Sequence, residues 1–102
     1  MNAVEQDVRA LVDKELAAAN ERFPQFHSQH EGYAVILEEV EECEYELTSI
    51  YEEQKRTWDA IRGNGDPRDY VFLMMAYAKN LACEAIQVAA MCRKFMEMED
   101  KQ

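Results

Sequence analysis

Turn-forming residues are scarce: the chain has 3 glycines and 2 prolines in 102 residues. A β-sandwich or barrel spends many such residues on its turns, so those folds are excluded and an all-α fold is expected. Positive charge is also scarce, with 11 Lys plus Arg against 21 Asp plus Glu and a net charge of −10. That field repels phosphate backbones, so no nucleic-acid partner is expected. It disfavours anionic membrane surfaces as well. A small anionic substrate stays compatible if a cation stands between it and the carboxylates. The three cysteines, Cys43, Cys83 and Cys92, form no CxxC pair, which argues against a zinc cage or disulfide framework. The longest apolar run, Tyr70 to Ala78, is too short for a membrane span. Met1 to Val12 carries Glu5 and Asp7 and no apolar h-region, so no secretory leader is expected. These absences point to a cytoplasmic protein. No internal repeat or low-complexity segment is visible.

What the chain does have is apolar material, 48% of its residues, enough for one small domain over residues 1–102. Three helices are expected. The first spans about Asn2 to Arg22, with Val4, Val8, Leu11, Val12, Glu15 and Leu16 on the helical period. Phe23 and Pro24 end it, and Pro24 to His27 is a linker. The second starts at a capping-box spacing, Ser28 with Glu31, although Gly32 weakens its first turn. Its stripe is Tyr33, Ile36, Val40, Cys43, Leu47, Ile50, Gln54 and Ile61, widened by Leu37, Tyr51 and Trp58. The turn-rich segment Gly63-Asn64-Gly65-Asp66-Pro67 closes it. The third helix begins near Pro67 with Asp66 as N-cap and reaches about Met98.

From Tyr70 to Met96 the third helix is apolar almost all round. Such a helix must be enclosed, and one short helix with half of another cannot enclose it. The two long helices are therefore expected to form a four-helix core with a second subunit, in a homodimer or homotetramer.

The second helix carries an acidic run: Glu38, Glu39, Glu41, Glu42, Glu44, Glu46, Glu52 and Glu53, with no Lys or Arg among them. Like charges pair at 38/41, 38/42, 39/42, 41/44 and 42/46. At roughly 0.2–0.5 kcal/mol each, these pairs cost on the order of 1–2.5 kcal/mol. Glu39, Glu42 and Glu46 fall within an arc of about 60° beside the apolar stripe. A hard divalent cation such as Mg²⁺ would remove the repulsion; a merely solvated acidic face is the alternative. On the third helix Asn80, Glu84 and Gln87 share one line inside the most apolar segment. A buried carboxylate there needs a cation or a donor. Acidic and polar lines facing each other across a helical core are how carboxylate metal sites are built in bundles; a hydrogen-bonded structural network is the alternative.

The stretch Leu37-Glu38-Glu39-Val40-Glu41-Glu42 resembles the ExxE element of the all-α nucleotide pyrophosphohydrolases, the MazG-like superfamily. The lead-in His30-Glu31-Gly32-Tyr33-Ala34-Val35-Ile36-Leu37 is similar to small MazG-like proteins of phages and bacteria. Asn80 to Ala89 resembles the second element, ExxD followed by an apolar run, except that Asn80 and Cys83 stand at its two acid positions. The resemblance covers about Phe26 to Phe95. It implies Mg²⁺, or Mn²⁺, held by acids of both helices, and hydrolysis of a nucleoside triphosphate to monophosphate and pyrophosphate. Glu39 and Glu42 match the first element, with Glu38 as neighbour. Asn80 offers a carbonyl oxygen, and Glu84 stands in for the missing acid. The expected metal set is thus Glu38, Glu39, Glu42, Asn80 and Glu84, with Glu39, Glu42 and Glu84 catalytic.

Other residues read more plainly. His27 and His30 are cap and loop residues. Lys55, Arg56, Lys79 and Arg93 are surface or salt-bridge residues, and Trp58 is core. The methionines suit an adaptable oligomer core. The rival reading is a non-catalytic helical oligomer that keeps the fold and acts as an interaction protein with a degenerate metal site. An acidic DNA mimic would explain the charge but not the polar line on the third helix.

Overall fold

A computed structural model describes residues 3–99. Among them the chain is all-helical: α1 (Glu5–Arg22), α2 (Gln29–Arg62) and α3 (Arg68–Met96). No described helix is long and apolar enough to cross a membrane. Two compact units divide the chain. One runs to Val40 and resumes at Ala85; the other is Glu41–Glu84.

The first unit holds α1, the linker, the start of α2 and the end of α3. Its core is Val12 and Leu16 against Ala90, with Ile86, Ala89 and Met91 packed around them. Val4, Val8 and Leu11, expected on the same stripe, are exposed. The expected start at Asn2 lies outside the described residues; Ala3 and Val4 form a turn, and the helix opens at Glu5. Phe23 is extended (φ −134°, ψ 140°), as the residue before a proline must be, and this ends α1. Ser28 caps α2 as expected, accepting from the Glu31 N–H at 3.1 Å. The reciprocal half of the box does not form. Glu31 instead accepts from the His27 N–H at 3.3 Å and pairs with His27 Nδ1 at 3.0 Å.

Gly32 has a packing reason. A Cβ there would meet Cδ2 of Phe95 at 2.5 Å and Cδ2 of Phe26 at 2.9 Å. Absence of a side chain lets linker and α3 rings close over the first turn of α2. The same corner is tied by Gln25 Nε2 donating to the Lys94 carbonyl at 2.8 Å. Arg93 of α3 pairs with Asp13 of α1 at the surface.

The second unit is a helical hairpin. Its turn is a Schellman motif: Gly65 N–H donates to Ala60 O at 2.8 Å and Asn64 N–H to Ile61 O at 3.1 Å. Asn64 takes the left-handed conformation, φ 59°, and neither flanking glycine does. Asp66 caps α3, with Oδ1 accepting from the Arg68 N–H at 3.0 Å. Among the described residues the hairpin buries no large apolar side chain; its one buried residue is Glu53. The broad stripe expected on α2 is two lines. Ile36, Cys43 and Ile50 are half-buried, whereas Tyr33, Leu37, Val40, Leu47, Tyr51, Trp58 and Ile61 are exposed. Trp58, read as core from the sequence, is 57% exposed, with Arg62 stacked 5.9 Å from its ring centre. The hairpin has nothing of its own to cover that face.

Candidate metal centre

The inward line of α2 is acidic at every second place. Between Ile36, Cys43 and Ile50 come Glu39 and Glu46, and Glu53 follows. These three acids repeat every seven residues, so a helix of 3.6 residues per turn keeps them on one side. Glu39 and Glu46 are half-buried and Glu53 is 5% exposed. Buried carboxylates are costly unless they meet donors or cations.

At the head of this line three acids converge. Glu42 and Glu84 both belong to the hairpin, and Glu39 stands one turn before Glu42 on the same unbroken helix. One carboxylate oxygen from each of Glu39, Glu42 and Glu84 lies within 4.8 Å of the others. Glu39 and Glu84 are half-buried, while Glu42 is exposed. Two unit charges at that distance repel by about 1 kcal/mol in water and roughly 3 kcal/mol at an effective dielectric near 20. The donors are all hard anionic oxygens drawn from two helices. Around Mg²⁺ at about 2.0–2.1 Å, ligand oxygens sit roughly 3–4 Å apart. Small side-chain rotations would close the group to that spacing, so the residues fit a hard divalent ion.

Of the five expected ligands, Glu39, Glu42 and Glu84 are thus brought together. Glu38 is exposed and outside the group. Asn80, expected on the embedded line, is exposed, as is Cys83; Glu84 and Gln87 on that line are half-buried. Glu84, one residue past Cys83, is the acid of α3 that groups with the two acids of α2.

Two further acids of the run lie on the same line. Glu46 Oε2 and Glu53 Oε1 are buried without a hydrogen-bond partner. The other Glu53 oxygen accepts from Arg56 Nη1 at 2.7 Å. Their seven-residue spacing from Glu39 was the available signal. Lys94, a charged residue of the mostly apolar α3, is 2% exposed. Nearby, the Glu31 carboxyl is held below its ordinary value of 4.5, chiefly by the hydrogen bond from His27 and least by the charge of Lys94.

The chain matches no family model, no curated protein and no solved structure.

Proposed function

We propose that the chain is a Mg²⁺-dependent nucleoside triphosphate pyrophosphohydrolase of MazG-like type, acting in the cytoplasm as a homodimer or larger homo-oligomer. The convergence of Glu39, Glu42 and Glu84 carries this reading, because the first two are the residues of the ExxE resemblance. Bound Mg²⁺ (or Mn²⁺) would neutralise a triphosphate and lower the pKa of an attacking water. The chain's part is positional. Glu39 and Glu42 present oxygens one turn apart, and Glu84 presents one from α3. A carboxylate oxygen turned away from the ion accepts the water's proton. Glu38 and Asn80 complete the proposed set from exposed positions. The products are a nucleoside monophosphate and pyrophosphate.

The proposed core is four helices, two from each copy. Exposed apolar side chains of the hairpin, Tyr51, Trp58 and Phe72 among them, favour such a core.

The exposed apolar lines also favour a second reading, a non-catalytic helical oligomer with a degenerate metal site. Pyrophosphate release across the common NTPs and dNTPs with Mg²⁺ or Mn²⁺ separates the two. The enzyme reading expects release that Glu42→Gln and Glu84→Gln abolish. It also expects Mg²⁺ at about 100 times its Kd to stabilise the parent by about 2.7 kcal/mol, seen as a raised Tm, and Glu42→Gln to lose that response. A parent that releases no pyrophosphate leaves the interaction protein; a Glu42→Gln variant with the full metal response removes Glu42 as a ligand.

A further inference from the structure

Along α2 the exposed apolar line has a strict period. Tyr33, Leu37, Val40, Glu44, Leu47, Tyr51, Gln54, Trp58 and Ile61 follow one another by alternating steps of four and three residues, without a break. The apolar members are all exposed, and so are Glu44 and Gln54. Such steps average 3.5 residues, the period of a coiled-coil seam, which keeps facing one partner helix along its length. Here the seam is open to solvent.

The pattern is complementary to its own reverse. Two antiparallel copies of α2 centred on Ser49 set Leu37 against the partner's Ile61, Val40 against the partner's Trp58 and Leu47 against the partner's Tyr51. The same register brings the two polar members together: Glu44 meets the partner's Gln54, whose amide N–H donates to the carboxylate. Tyr33 falls past the end of the partner helix. Charge agrees with this direction. Beside the seam, Glu41, Thr48 and Lys55 recur every seven residues, and reversal places Glu41 next to the partner's Lys55. Among the described residues neither Glu41 nor Lys55 joins an ion pair. Parallel copies would instead set Glu44 against the partner's Glu44 and lay the acids of residues 38–46 beside the same acids, a like-charge juxtaposition that disfavours association.

We propose that the outer line of α2 is an antiparallel coiled-coil seam for the same helix of a second copy, in the register that joins Glu44 to the partner's Gln54. The inference rests on the self-association contained in the proposed function and adds the helix, its direction and its register; it does not need the activity. One polar layer in an apolar seam fixes register at some cost in affinity, which is the part Glu44 and Gln54 play. The flanking pairs of Glu41 with the partner's Lys55 occur twice, once on each side of the two-fold axis, and select the antiparallel direction.

Cross-linking of the full chain with a short bis-maleimide tests this, in a Cys83→Ser, Cys92→Ser background that removes the two exposed thiols. Glu41, Thr48 and Lys55 are exposed, so the fold tolerates cysteine at each. Thr48→Cys, beside the two-fold axis, is expected to give a covalent dimer. Lys55→Cys alone is expected to give none, because its two copies stand two heptads out of step, about 21 Å along the helix. Glu41→Cys mixed with Lys55→Cys is expected to cross-link. Sedimentation equilibrium supplies the second readout. Glu41→Lys or Lys55→Glu alone is expected to weaken self-association about tenfold, since both symmetry-related pairs turn repulsive, and the double exchange to restore it to within about threefold. Cross-linking of Lys55→Cys as ready as that of Thr48→Cys overturns the antiparallel direction. Unchanged affinity in both single exchanges overturns the register. A parent that self-associates while no variant cross-links overturns the seam and leaves assembly to another face. A parent that is monomeric at micromolar concentration overturns the seam and the self-association together and assigns the exposed line to a different partner. Pyrophosphate release, measured separately on the parent, decides the activity in every case.

Discussion

Two rings and a lysine meet where α2 begins, and the residue that permits this is Gly32. A methyl group there must displace two aromatic rings, since atoms of Phe95 and Phe26 lie 2.5 and 2.9 Å from where its carbon would sit. Overpacking of this kind costs about 1–3 kcal/mol, against about 1 kcal/mol gained when alanine replaces glycine inside a helix. Gly32→Ala is therefore expected to lower the urea midpoint, with a net loss of about 1 kcal/mol; a raised midpoint would show that the rings do not close over this position. Next to it, the lowered Glu31 pKa has a pH consequence. A carboxyl whose folded pKa lies below its unfolded value stabilises the fold above the unfolded value, near 4.5, and loses that contribution as pH falls through the folded value. Comparing the parent with Glu31→Gln from pH 6 to pH 3 should show a small parental advantage that disappears at the acid end. Because the group is solvent-exposed, salt should weaken it.

At the scale of the elements, the legible signals were those that act locally. Ser28, Pro24, Asp66 and the Gly63–Asp66 turn mark helix ends through short-range hydrogen bonds and backbone sterics, which need no knowledge of tertiary structure. The helix boundaries accordingly fall within a few residues of their sequence positions. Within the turn, local chemistry still left a choice. Two glycines invite the left-handed position, but Asn64 takes it, because the Schellman register is set by the donors of Asn64 and Gly65 to Ile61 and Ala60. Asn64→Ala should cost about 1 kcal/mol, since a Cβ without a polar side chain tolerates this conformation poorly, whereas Asn64→Gly should be neutral or stabilising. Equal losses in both variants, measured by urea denaturation, would assign the cost to the asparagine side chain rather than to the backbone. What the sequence concealed was the division of α2 into an inner and an outer line. Apolar residues sit on both, so periodicity merges them into one broad stripe. The acids seemed to flank that stripe, but Glu39, Glu46 and Glu53 lie within its inner half. The meeting of Glu84 with Glu39 and Glu42 was legible as a pattern of polar lines, while the exposure of Asn80 and the burial of Lys94 depend on packing that spacing alone does not encode.

For the molecule as a whole, acids on the inner line and aromatics on the outer one reverse the usual order of a soluble helical hairpin. Tyr51 and Phe72 are 61% and 64% exposed, and Trp58, Ile61, Val71 and Met75 accompany them in the same unit. Fully burying one such side chain contributes about 1.5–3 kcal/mol, and these are about half exposed, so leaving the set in water forgoes roughly 5–10 kcal/mol, comparable to the stability of a small domain. A second copy of the chain offers the same faces and can bury both at once, as a two-fold interface requires. Light scattering is expected to give at least twice 11.9 kDa, and the Tm should rise with protein concentration, because association stabilises by mass action. Trp58→Glu and Phe72→Glu discriminate further. On a monomer these substitutions at exposed positions would be nearly neutral and would improve solubility. At a subunit interface each places an unpaired carboxylate in an apolar contact, which should shift the protein toward a less stable monomer whose Tm no longer depends on concentration. A compact parental monomer at micromolar concentration, with both variants unchanged in stability, would remove the four-helix core and leave the acidic group to a single chain.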